Sequence, residues 1–115
     1  MIASLLVCFV AALHAYFLYL EMFAWEAPRT RAAFGTTADF AKASKTLAAN
    51  QGLYNGFLVA GLMLSLYAHD QQALIFTLAC VIIAGIYGAA TVSLRILFIQ
   101  AVPAGLALIA VLAKV

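Results

Sequence analysis

Four long apolar runs, at about residues 2–23, 47–67, 72–90 and 96–113, leave this chain little to fold into except membrane-spanning helices. Each is close to the ~20 residues a helix needs to cross a bilayer. The chain is 68% hydrophobic and 9% charged, with a mean hydropathy of +1.12, whereas an ordinary soluble domain carries about 25% charged residues. The expected fold is all-α, an integral membrane four-helix transmembrane bundle over residues 1–115. One cytoplasmic loop, about 24–46, is its only substantial connection, and no separate soluble domain fits.

The same composition excludes several kinds of function. The six basic residues fall mainly on one loop rather than on a patch interleaved with aromatics, so nucleic acid is not an expected partner. Cys8 and Cys80 lie far apart without redox or zinc spacing. No paired histidines or carboxylate cluster would hold a metal, and no glycine-rich loop would cradle a phosphate. Met1 to Ala24 lacks a basic leader, and its apolar run exceeds a signal h-region, so it reads as a retained first span.

Along the chain, Pro28 ends the first helix or sets a turn after it, and Gly35 supplies a second break. Thr36-Thr37-Ala38-Asp39 offers a threonine hydroxyl as a helix cap. A second helix starting there is longer than the hydrocarbon is thick. Its first turns should stand outside the membrane. His69-Asp70-Gln71 makes a tight polar turn, Thr91 to Arg95 another, and Pro103 is placed to kink the last helix.

Orientation follows from the cations. Arg29, Arg31, Lys42, Lys45 and Arg95 lie on one side and only Lys114 on the other, which puts the loop in the cytoplasm and both termini outside. Small residues at four-residue spacing, Gly52 with Gly56, Ala84 with Gly88 and Gly85 with Ala89, mark close helix approaches.

Against this apolar background, Glu21, Asn50, Gln51, Tyr54, Asn55, Tyr87, Thr91, Arg95 and Gln100 all fall in the cytoplasmic half. Polar groups at membrane depth are costly unless they pair or line a cavity. On the second span, Asn50 and Tyr54 share one face and Gln51 and Asn55 a neighbouring one, an arc of roughly 140°. One face can line an intramolecular pocket, the other a seam between subunits. His14 and Glu21, two turns apart, point into one column, with His14 read as a buried hydrogen-bonded histidine. Three functions compete: a ligand or catalytic pocket open to the cytoplasm; a small multidrug-type transporter, which Glu21 in the first span invites; and a structural or accessory protein in which Glu21 pairs with Arg95. A transport path would also need polar residues in the outer half, where only Ser4, Ser65 and Thr77 occur.

The segments Tyr19-Leu-Glu-Met-Phe, Arg29-Thr-Arg-Ala-Ala-Phe-Gly and Leu47-Ala-Ala-Asn-Gln-Gly-Leu-Tyr-Asn-Gly-Phe-Leu resemble an uncharacterised family of small bacterial membrane proteins with four predicted spans. That likeness implies a bacterial inner membrane and a multi-pass fold, but no activity. More distantly, Asn50 and Tyr54, with Tyr87 and Arg95, resemble the MAPEG family, homotrimers of four-helix subunits that bind glutathione between subunits. Thr46 stands where that family has an Arg, and Leu53 where it has a Glu. The MAPEG resemblance implies a homo-oligomer, a trimer rather than a dimer through the Gly52 and Gly56 face, in contact with membrane lipid. It further implies glutathione or another small thiol as ligand. Arg95 would stabilise its thiolate electrostatically and Tyr87 would donate to the sulfur; Lys45, Asn50, Gln51 and Tyr54 would hold the polar part. Glu21 and Asn55 complete the candidate ligand-binding set.

Overall fold

The computed structural model describes all 115 residues as five α-helices with no strand. Helix α1, Ile2–Phe23, coincides with the first apolar run. Helix α2, Pro28–Phe34, lies inside the segment read as a loop. Pro28 therefore starts a helix rather than merely stopping one: it stands in the first turn, where its missing N–H has no intrahelical partner to lose. Gly35 then ends α2 with φ +69°, the left-handed cap that glycine adopts without strain.

Helix α3, Ala38–Tyr67, is 30 residues long, roughly 45 Å. The Thr37 hydroxyl accepts from the Phe40 N–H at 3.1 Å, so Thr37, not Thr36, is the cap. At the other end, His69 takes φ +53° and the Asp70 N–H returns to the Ser65 carbonyl at 2.9 Å. The Asp70 carboxylate then accepts from the Ala73 N–H at 3.0 Å, capping α4, Gln71–Thr91. One tight turn thus closes one helix and opens the next.

The last apolar run is not a single α-helix. Leu97–Ala101 forms a π-helical turn before α5, Val102–Leu112. Pro103 has no N–H, so the Ile99 carbonyl loses its ordinary i+4 donor. The wider turn just upstream, in which the Val102 N–H bonds the Leu97 carbonyl, is the local accommodation.

The chain divides into two compact units, Leu13–Phe57 and Met1–Ala12 with Leu58–Val115. The core of the larger unit draws on all four long helices: Val7, Val10 and Ala11 from α1, Leu62 from α3, Leu74, Leu78 and Val81 from α4, and Ala104, Ala107 and Val111 from α5. Gly85 sets its closest approach. A Cβ there would lie 2.8 Å from the Ala101 backbone nitrogen, so α4 meets the π turn almost backbone to backbone. Gly88 similarly faces Ile96.

In the smaller unit α3 carries a stripe of small residues, and the glycines of that stripe meet α1. Ala41 and Ala48 are buried, a Cβ on Gly52 would stand 2.6 Å from Met22 Cγ, and one on Gly56 would stand 2.9 Å from Leu18 Cδ1. The Gly52 and Gly56 face is thereby occupied within the chain. The sequence offers that face as the contact of an alternative dimer; in the structure α1 of the same chain meets it.

Candidate functional site

The small-residue stripe decides which polar side chains of α3 turn inward. Asn55 lies beside it and donates from Nδ2 to Glu21 Oε1 at 2.5 Å. Gln51 reaches the same carboxyl group. Glu21 is 2% exposed, and its second oxygen, Oε2, has no hydrogen bond of its own. Three of the sequence-predicted residues, Glu21, Gln51 and Asn55, are thus brought together by one helix contact. The partner of Glu21 is a neutral amide.

Asn50 and Tyr54 lie on another side of α3, and both are exposed. Tyr54 is two-thirds open, its ring edge-on to Phe57 with centroids 5.7 Å apart. The two faces of α3 therefore differ as their angular spacing requires: one is consumed by α1 and the other is free.

Lys45 is not free to hold a ligand unaided. Its ammonium pairs with Glu26 at 3.1 Å. Together they sit at a half-open groove of about 500 Å³ lined by Tyr19, Met22, Phe23 and Trp25 as well. Trp25 is fixed there, its indole N–H donating to Ser44 at 3.1 Å and its ring meeting Phe34 at 4.9 Å. Neither Trp25 nor Glu26 is among the site residues the sequence points to. The signal that could have found Glu26 is its acid–base complementarity with Lys45 at the polar ends of consecutive long helices.

In the larger unit Tyr87 and Arg95 are exposed. The Tyr87 carbonyl accepts from the Thr91 hydroxyl at 2.7 Å, and the Arg95 backbone N–H donates to the Ser93 hydroxyl at 3.3 Å. Within that unit the side chains of Tyr87 and Arg95 share no hydrogen bond or ion pair. Ser65 and Thr77 are differently used: their hydroxyls donate to the carbonyls of Gly61 and Ala73, one turn back in their own helices. His14 is fully buried, its ring edge-on to Phe17. No cluster of histidine, cysteine and carboxylate side chains could hold a metal ion.

By length and composition α1 and α4 are apolar enough to cross a membrane. The class defined by these features is an all-helical protein with two possible membrane-spanning helices and a buried acid–amide cluster. Residues 8–112 match the model of a family described as "Protein of unknown function (DUF1304)", and the chain belongs to that family. It is also 31% identical over 103 residues, 86% of this chain and 84% of the relative, to "Uncharacterized protein YpaA" of Lactococcus lactis subsp. lactis (strain IL1403). No solved structure matches it.

Proposed function

We propose that this chain is a four-span integral membrane protein of the bacterial inner membrane, with its 24–46 segment in the cytoplasm and both termini outside. Its polar pocket is completed between copies of itself. The observation that carries this reading is the exposed Asn50 and Tyr54 face of α3, beside the face whose Asn55 is spent on Glu21. Amide and phenol groups facing hydrocarbon alone would be costly. A second copy and a ligand would satisfy both.

Membrane insertion is supported by what the helices leave open. Only 22% of the most apolar stretch of α1, and the same share of α4, is buried, while Leu5, Phe9, Phe76 and Ile83 are exposed. A soluble protein would leave these side chains in water, against the hydrophobic effect. The reading assigns Asn50 and Tyr54 to the polar part of a small ligand. Arg95 and Tyr87, contributed by a neighbouring copy, stabilise an anion on it. Arg95 stays charged at any physiological pH, which suits a thiolate. The ligand class that the MAPEG resemblance implies is a small thiol such as glutathione; a lipophilic molecule bearing an acidic group uses the same side chains. Against the transporter alternative, Ser65 and Thr77 spend their hydroxyls on their own helices.

Native mass spectrometry from mild detergent tests the reading directly. A trimer that retains a small-molecule mass, with the mass lost in Arg95→Ala and in Asn50→Leu, is the expected result. A monomer that carries nothing sinks it.

A further inference from the structure

A second site lies in the smaller unit, in the groove walled by Tyr19, Met22, Phe23 and Trp25 and closed by the Glu26–Lys45 pair. We propose that this groove binds the headgroup of an aminophospholipid. The lipid's primary ammonium is received by Glu26 and its phosphate by Lys45, with the acyl chains lying along Tyr19 and Phe23.

The chemistry of the pair selects the ligand. Glu26 and Lys45 are 3.1 Å apart, and their side chains are 43% and 64% exposed. An anion arriving alone competes with Glu26 for Lys45, and a lone cation competes with Lys45 for Glu26. A zwitterion replaces both partners at once, giving Glu26 an ammonium and Lys45 a phosphate in exchange for each other. A primary ammonium donates a charge-assisted hydrogen bond to a carboxylate. A trimethylammonium group has no N–H to do so.

Position and shape point to a lipid rather than a free zwitterion. The groove lies where α1 ends, at the boundary between its apolar run and the charged segment, which is the depth of headgroups if α1 spans the bilayer. Its volume, about 500 Å³, is in the range of small-molecule sites. The apolar wall continues outward, with Tyr19 54% and Phe23 74% exposed. Trp25, held by Ser44 and Phe34, gives a fixed aromatic wall near the ammonium position, favourable for a cation.

This inference rests on the reading of α1 as a membrane span, but not on a pocket between copies. The test is a lipid titration of the full chain in mild detergent, read by native mass spectrometry. Phosphatidylethanolamine, phosphatidylcholine and phosphatidylglycerol of identical acyl chains are compared, with free phosphoethanolamine alongside. The expected result is about tenfold stronger retention of phosphatidylethanolamine than of the other two lipids, with no retention of the free headgroup. Glu26→Gln and Lys45→Gln each abolish the preference, and the exchange Glu26→Lys with Lys45→Glu restores it. Equal retention of the three lipids overturns the proposal. So does a preference for either of the others, retention of free phosphoethanolamine, or a preference indifferent to Glu26 and Lys45. Extraction of the chain from membranes by alkaline carbonate is run in parallel. A chain released by carbonate fails the spanning reading itself, whereas a retained chain without lipid preference fails this site alone.

Discussion

Asn55 and Tyr54 are adjacent in sequence but have opposite fates. A step of about 100° along a helix places Asn55 against α1, where it donates to Glu21, and leaves Tyr54 exposed. The buried acid depends on that amide, because removing one partner leaves the other unsatisfied, whereas removing both leaves an apolar contact. Asn55→Leu is expected to destabilise the protein by about 1–3 kcal/mol. The double variant Glu21→Leu with Asn55→Leu should recover most of that loss. Denaturation of each variant in detergent checks the cycle, and strictly additive losses would show that the two side chains do not act as a pair. The sequence revealed that Glu21 lay among polar residues, but it offered Arg95 as the partner and did not single out Asn55. Helical spacing gives the angle between side chains of one helix and says nothing about which neighbour fills each angle.

At the scale of elements, local chemistry explains most boundaries. The Asp70 cap has a side-chain acceptor 3.0 Å from the Ala73 N–H. Asp70→Ala should cost about 0.5–2 kcal/mol, read as a lowered unfolding midpoint, with Asp70→Asn recovering most of it. The glycines separate contact from composition. A Cβ at Gly85 would stand 2.9 Å from Ala101 Cβ, while one at Gly105 would meet nothing within 4 Å. Gly85→Ala is accordingly expected to cost about 1–3 kcal/mol through overpacking, and Gly105→Ala to stabilise by up to about 1 kcal/mol through helix propensity. Comparable effects of the two would contradict the close approach of α4 to the π turn. Pro103 announced a disturbance in the last helix, but its form as a π turn was not legible. A missing N–H can be accommodated by a kink, a water or a wider turn, and the choice depends on packing against Gly85.

At the scale of the whole molecule, the proposed four-span arrangement is tested by which side of the membrane each segment faces. The proposed orientation predicts opposite labelling from opposite sides. In intact cells or sealed vesicles, a cysteine at Ala33, in the proposed cytoplasmic segment, should react with a membrane-impermeant maleimide only from inside. One at Gln72, beyond the Asp70 turn, should react only from outside. These reporters are made in a chain whose Cys8 and Cys80 are replaced by alanine, so that the native thiols, both free, do not contribute. Labelling of both positions from the same side would rule out an odd number of membrane crossings between them, and with it the four-span arrangement.

Sequence alone determined that the chain is helical and about where α1, α3 and α4 begin and end, because apolar length, a capping threonine, glycine and proline all act on the residues that carry them; the last run, read as one span, is instead a π turn followed by α5. The sequence also determined that α3 has two polar faces. Only the tertiary structure decided that Gly52 and Gly56 turn toward α1. That contact spends Asn55 on Glu21 and leaves Asn50 and Tyr54 open. It also decided that α2 folds inside the presumed loop and that Lys45 belongs to Glu26. These outcomes depend on which surfaces come within contact distance, and the angular pattern of one helix does not contain the position of the next.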